Sequence, residues 1–446
     1  MHTTLFSILF ASLLFLAACE NQPSQKSNAS ASSKPNIVLI MADDLGYGGI
    51  SCYGNEEINT PHLDALAKQG IKFTDFHSNA PVCTPTRAAL LTGKYQQKVG
   101  LEGVIYVRGE TREVGLDTTA LTIAELMNDN GYATGIMGKW HLGYKKEFNP
   151  VHHGFDEFYG YVSGNVDFHS HYDNAGIYDW WHNLDSIQEE GYVTDLITEH
   201  SVDFIKQHKE EPFFLYVPHE APHVPFQGRN DPAYRFPDKE FTYYGPVEDQ
   251  DRAYKEMVEV MDEGIGRIME ALRENGLEEN TLVFFLSDNG AEEFGHNGIL
   301  NGHKGGLLEG GHRVPAIAYW NGRIKAGQSS EQLMSMDLLP TILSVSGTET
   351  SEGRDFDGKD FSPVLFGEGE MPERTLFWRY RGQKAARENE WKLLITKSDT
   401  ALYNLEADLR ETTDLSEQHP DILKNLLNQL EDWEKEAGQL DEMKTI

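Results

Sequence analysis

The sequence predicts an α/β protein: a large, mostly parallel sheet flanked by helices on both faces, followed by a smaller C-terminal α+β domain that carries an antiparallel sheet. Three observations carry this expectation. Residues 36–41, 212–217 and 281–286 are continuous apolar runs, as strands buried on both faces are. Helical patterns fall between them, and a βα alternation stacks helices on both sides of a parallel sheet. At residues 347–358 the composition shifts to Gly, Ser, Thr and acids, which marks a boundary loop before a different grammar of short strands.

The elements follow in chain order. The first run, Asn36-Ile37-Val38-Leu39-Ile40-Met41, delivers Asp43 and Asp44 at its C-terminal end, where open α/β sheets place ligands. Residues 122–130 read as a helix with Ile123, Leu126 and Met127 inward and Gly131 as its stop. The run Pro212-Phe213-Phe214-Leu215-Tyr216-Val217 ends just before His219 and His223. Residues 254–275 place Met257, Met261, Ile265, Ile268 and Leu272 at helical spacing, and this methionine-rich stripe is core packing. The third run, Thr281-Leu282-Val283-Phe284-Phe285-Leu286, ends at Asp288. Three strands therefore aim polar residues at one edge. Further on, residues 374–380, 385–396 and 401–405 read as strands, and a helix from Asp421 puts Ile422, Leu426, Leu430 and Trp433 on one face.

Bulk properties narrow the function classes. A chain of 446 residues with 39% hydrophobic and 11% aromatic content is ordinary for a globular enzyme. Its formal net charge of −33 argues against nucleic acid or an acidic membrane surface as a partner. Residues 5–18 are apolar, too short to cross a bilayer, and end in Leu16-Ala17-Ala18-Cys19. This resembles a bacterial lipobox, in which Cys19 becomes the lipidated N-terminus; simple signal cleavage with Cys19 incidental is the alternative. Residues 19–35 are rich in Ser, Asn, Gln and Ala and read as a disordered tether.

The chemistry is concentrated in two motifs. Cys83-Thr84-Pro85-Thr86-Arg87, followed by Ala88-Ala89-Leu90-Leu91-Thr92-Gly93, sets a cysteine beside a rigid proline and a guanidinium. Gly131-Tyr132-Ala133-Thr134-Gly135-Ile136-Met137-Gly138-Lys139-Trp140-His141 is the second block. Together with Asp43-Asp44-Leu45-Gly46 and Ser287-Asp288-Asn289-Gly290 they resemble the formylglycine-dependent (type I) sulfatases, a branch of the alkaline-phosphatase superfamily, over nearly all of the chain after the leader. The leader reads as a signal peptide at residues 1–18 followed by the tether at 19–35, and the resemblance implies a catalytic domain at 36–346 and a C-terminal α+β subdomain at 347–446.

It also implies roles. Cys83 would be oxidised to formylglycine (3-oxoalanine) by a formylglycine-generating or anaerobic sulfatase-maturating enzyme, and its hydrated aldehyde would be the nucleophile. Asp43, Asp44, Asp288 and Asn289, with the side chain at position 83, supply a hard oxygen set suited to Ca²⁺. Arg87 would balance the charge of the aldehyde hydrate, Lys139 and Lys304 would bind sulfate oxygens, and His141 would act as base. His223 is read as the acid for the leaving sugar oxygen, with His219 the rival. Thr84 and Thr86 stand where the family more often has Ser or another small residue. Cys52 reads as a buried structural thiol, since a bridge to Cys83 would consume the nucleophile.

His169 and His171, in a stretch that mixes aromatics with hydrogen-bonding groups, are candidate substrate contacts together with His219 and His303; a packed loop with satisfied histidines is the other reading of that stretch. These features point to a sulfated polysaccharide or oligosaccharide as substrate and to an exported, lipid-anchored enzyme. A formylglycine-dependent phosphonate monoester hydrolase or phosphodiesterase, and a non-catalytic glycan-binding lipoprotein, are the alternatives.

Overall fold

In the computed structural model the described residues are 34–348 and 355–438, apart from Asp238, Glu240 and Glu293. The leader, Cys19, residues 19–33 of the tether and part of the expected boundary loop lie outside them.

A ten-stranded sheet organises the fold. From edge to edge its strands are Gly327–Ser329, Ile71–Phe73, Ala316–Tyr319, Thr281–Ser287, Asn36–Ala42, Phe213–Pro218, Ala133–Lys139, Glu157–Tyr161, Trp181–His182 and Asp185–Ser186. The five strands from Thr281–Ser287 to Glu157–Tyr161 run parallel, and antiparallel pairing is confined to the flanks, apart from a parallel pair at the Gly327–Ser329 edge. The sheet expected from the apolar runs is therefore present. Asn36–Ala42, Phe213–Pro218 and Thr281–Ser287 are buried along their whole length.

Alternation along the central strand divides two cores. Ile37, Leu39 and Met41 enter one, with Leu90, Leu91, Ile123, Met127, Leu339 and Ile342 from the helices on that face. Val38, Ile40 and Ala42 enter the other, with Leu63, Ile197, Met257, Met261, Ile265 and Leu272. This is the period-2 signature of a strand sandwiched between helical layers.

Boundaries differ in places from the expected ones. The long helix spans Gln250–Glu274, four residues earlier than expected, because Asp249 caps it by accepting the Arg252 N–H at 3.1 Å; its polar first turn has no apolar periodicity to reveal it. The stretch 385–396 is two strands, Gln383–Glu388 and Trp391–Ile395, reversing at Asn389, whose φ of 54° is left-handed. With Thr375–Tyr380 and Thr400–Asn404 they form a four-stranded antiparallel sheet. The helix Pro420–Ala437 covers it with Leu426, Leu430 and Trp433. Cys52 and Cys83 are both free, and Cys52 is half-buried rather than buried.

Candidate active site

Three parallel strands end at the same edge, and their exits are tied together. The Asp43 N–H donates to Ala221 O (3.1 Å), the Asp288 N–H to Ala42 O (3.1 Å) and the His219 N–H to Met41 O (2.8 Å). Asp44 has a left-handed backbone (φ 62°), and its N–H donates to Asp288 Oδ1 at 3.1 Å. Two consecutive aspartates and the Asp288-Asn289 pair thereby face one another, all buried.

Cys83 is the first residue of the helix Cys83–Thr92, with Pro85 in the first turn, where its missing N–H is tolerated. The two threonines of the motif lock this start. Thr86 Oγ1 donates to Ala80 O (2.9 Å) and accepts the Ala80 N–H (3.2 Å). Thr84 Oγ1 donates to His141 O (3.1 Å) and accepts the Ile105 N–H (3.3 Å). Cys83 Sγ lies 3.5 Å from Asp43 Oδ1. One turn on, Arg87 gives Nε and Nη2 to Asp288 Oδ2 (3.2 and 2.8 Å) and Nη1 to Lys139 O (3.2 Å). The guanidinium thus bridges two strand ends beside residue 83.

Lys139 closes the strand Ala133–Lys139 and places Nζ 2.5 Å from Asp43 Oδ2. Beyond Lys139 the chain turns away from the strand direction, since His141 takes φ 56°. This turn sets the imidazole beside Ile105 O, 2.9 Å from Nε2, with Nδ1 buried and without a partner. Lys304 Nζ reaches Asp44 Oδ2 (2.6 Å) and Glu292 Oε1 (3.2 Å). His223 donates Nδ1–H to Val224 O (2.7 Å), and its Nε2 lies 3.5 Å from Asp44 Oδ2.

Cys83, His141, His223 and Lys304 share the wall of one cavity of about 330 Å³. The other histidines singled out by the sequence do not reach it. His219 is buried with both ring nitrogens unpartnered. His169 and His171 face Gly228 O and Gly191 O, each at 3.1 Å, and pack on Tyr192 and Trp180. His303 borders a separate shallow depression near Asn55 and Glu57. Conversely, Tyr106, Asn165, Tyr243, Glu292, Tyr380 and Arg381 line the cavity without having been singled out. For Arg381 the sequence offers only an Arg-Gly pair in the gap between the strands expected at 374–380 and 385–396; the structure closes that gap to a two-residue turn.

Charge dominates the site. Burial first, then Asp288, pushes Asp43 up to about 8 against the pull of Lys139 and Arg87. Burial lifts the Cys83 thiol well above its usual range. Burial, then Lys139, holds His141 well down; burial, then Lys304 and Lys139, does the same to His223. Burial, the largest single influence, would lower Lys304, but Asp44, Cys83 and Glu292 together outweigh it and the ammonium is held well up.

The residues present fit a hard divalent cation. Ligand atoms of Asp43, Asp44, Cys83 and His223 lie within 4.8 Å of one another. Asn289 donates Nδ2–H to Asp44 Oδ1 (2.7 Å) and keeps Oδ1 buried without a partner. An orphaned carbonyl oxygen among crowded carboxylates is what calcium coordination satisfies.

A strand-edge site of buried acids, a cysteine at a helix start and converging lysines and histidines defines a hydrolase of anionic esters on an alkaline-phosphatase-like fold. The sulfatase family profile matches residues 35–348. The chain is 36% identical over 383 residues to N-acetylgalactosamine-6-sulfatase of Sus scrofa, covering 79% of this chain and 69% of that one. It is 34% identical to human arylsulfatase A, covering 88% and 81%. The crystal structure of Ps i-CgsB superposes with a TM-score of 0.83 at 34% identity, covering 91% of this chain and 94% of the other. That protein has also been solved in complex with k-i-k-neocarrahexaose. The chain therefore belongs to the sulfatase family, and it is a sulfuric ester hydrolase.

Proposed function

We propose that the protein removes sulfate from a sulfated polysaccharide or oligosaccharide, using a formylglycine made from Cys83 and a bound calcium ion. The observation that carries this reading is the position of Cys83: on the wall of a cavity shared with Lys304, His141 and His223, with its sulfur 3.5 Å from Asp43. Relatives that bear on the substrate are an N-acetylgalactosamine-6-sulfatase and a structure holding a neocarrahexaose.

Asp43, Asp44, Asp288 and Asn289, with the oxidised side chain at position 83, would hold the ion, whose charge offsets that of sulfate and favours ionisation of a neighbouring hydroxyl. Arg87, anchored on Asp288 and Lys139 O, fixes one flank of residue 83 and adds positive charge there. Lys139 and Lys304 bring ammonium donors to the sulfate oxygens. His141 donates Nε2–H to Ile105 O, so Nδ1 keeps its lone pair and serves as base at residue 83. His223, oriented by Val224 O through Nδ1–H, presents Nε2 to the cavity near Asp44; the anionic substrate favours protonation of the imidazole at Nε2, and that proton is the one given to the leaving sugar oxygen. The aldehyde hydrate supplies a hydroxyl to attack sulfur and a second one whose deprotonation expels sulfate, a step a simple alcohol cannot perform.

The leader and Cys19 support an exported enzyme, lipid-anchored to a bacterial membrane. A formylglycine-generating or anaerobic sulfatase-maturating enzyme is the partner this chemistry needs. The test is mass spectrometry of the Cys83 peptide from protein co-produced with such an enzyme, alongside sulfate release from sulfated oligosaccharides. The expected results are a loss of roughly 18 Da, thiol to aldehyde, with turnover that Cys83→Ala abolishes. Aldehyde-bearing protein that releases no sulfate from saccharide or aryl esters overturns the reading.

A further inference from the structure

The hairpin between Thr375–Tyr380 and Gln383–Glu388 turns on Arg381 and Gly382 alone, at φ 47° and 79°. Positive φ at both central residues is the signature of a type I′ turn, whose positions favour Asn, Asp and Gly. Arginine in this conformation is uncommon, and an outlier of this kind points to a use for its side chain.

That side chain lines the catalytic cavity. Arg381 Nη2 donates to Tyr106 Oη at 2.7 Å, and the guanidinium carbon stands 5.4 Å from the centre of the Tyr380 ring. Among the described residues no carboxylate lies within 4.0 Å of it. Lys304, which shares the cavity wall, is held by Asp44 and Glu292. In a chain with 71 acidic against 38 basic residues, a guanidinium facing a cavity without an acid partner is set for an anion from outside.

Its distance from the reaction centre is fixed by the backbone. Gln383 Nε2 donates to Gly305 O (3.1 Å), and the Gly305 N–H donates to Pro81 O (2.8 Å). Tyr380 is buried against Ala80 and Val82. The turn therefore rests on the loop that carries Lys304 and on the segment that leads into Cys83.

We propose that Arg381 determines specificity for a second oxyanion on the substrate, a sulfate or carboxylate on the sugar bearing the scissile sulfate or on its neighbour. Its Nε and Nη1 donors form the planar fork that such groups accept. This inference rests on the sulfatase reading above and narrows the substrate class to glycans with more than one negative group.

The test measures kcat and KM for wild type, R381N and R381K on 4-nitrophenyl sulfate and on three oligosaccharides. These are one singly sulfated and otherwise neutral, one disulfated, and one singly sulfated with a uronate. Asparagine accepts left-handed backbone, so R381N removes the guanidinium and keeps the turn, which an unchanged melting temperature confirms. The expected result is a KM raised roughly ten- to a hundred-fold by R381N on a doubly charged oligosaccharide, partly restored in R381K, with the singly charged substrates within about twofold. Whether the disulfated or the uronate substrate responds identifies the oxyanion. Equal effects on all substrates, or none on any, overturn the inference. A wild type that hydrolyses none of the four overturns the sulfatase reading itself, and this inference with it.

Discussion

Asn289 has its side-chain donors satisfied among the described residues but not its side-chain acceptor. Its amide nitrogen serves Asp44 Oδ1 and Gly290 O, and Oδ1 is buried with no donor. A dry acceptor of that kind costs about 1–3 kcal/mol, which a coordinated cation recovers. Added Ca²⁺ is therefore expected to raise the melting temperature of the wild type, because an ion that binds only the folded chain stabilises it by mass action. In Asn289→Ala the Ca²⁺-dependent rise should fall by more than half; a rise equal to wild type, followed by differential scanning fluorimetry, removes Asn289 from the ligand set. Residues of this kind were legible in the sequence because each is local to a motif or sits where an apolar strand ends. His169 and His171 were not separable by sequence from true substrate contacts. Histidines in an aromatic loop look the same whether they face a ligand or, as here, the carbonyls of Gly228 and Gly191.

At the scale of elements, the parallel strands were legible because burial on both faces leaves an uninterrupted apolar run. The turn at His141 was not, since nothing in Lys139-Trp140-His141 shows a left-handed residue. One glycine shows how tightly these strands position the site. Gly138, at φ 132°, precedes Lys139, and a Cβ on it would lie 2.1 Å from Pro218 O on the neighbouring strand. Gly138→Ala must therefore push apart the strand ends that deliver Lys139 and lead to His223. The expected cost is about 3 kcal/mol or more, from left-handed strain plus overpacking. Urea unfolding checks this, and a midpoint equal to wild type would mean that the two strands have room to separate.

Across the whole molecule, net charge and site charge differ. The chain carries −33, yet at one edge Lys139, Lys304, Arg87 and Arg381 stand against the carboxylates of Asp43, Asp44, Asp288 and Glu292, so an anionic substrate meets a site far closer to neutral than the mean surface. The C-terminal sheet contributes Arg381 to that edge, and a buried ionic clasp fastens this sheet to the catalytic part. Arg387 gives Nη1 and Nη2 to Asp75 (2.7 and 2.5 Å) and lies 3.3 Å from Glu309, while Lys392 pairs with Glu309 (2.9 Å) and Glu411 (2.8 Å). The stretch Glu309-Gly310-Gly311-His312-Arg313 accordingly serves the clasp. Removing one partner of such a network leaves a buried charge uncompensated, so Arg387→Met should destabilise the protein by roughly 3–5 kcal/mol at neutral pH. The pH dependence has a definite sign. Burial alone would raise Asp75, but Arg387 and Arg313, aided by His77, hold it well below its ordinary value of 3.8. A carboxyl depressed in the folded state stabilises the protein above its unfolded value, and that stability is lost as pH falls through the folded one. The gap in unfolding free energy between wild type and Arg387→Met should therefore be constant above about pH 5 and shrink as the medium is acidified past 3.8. Urea titrations of both proteins at a series of pH values measure that gap directly. A gap that stays level into acid would mean that Arg387 holds the sheet by packing of its stem rather than by its charge on Asp75.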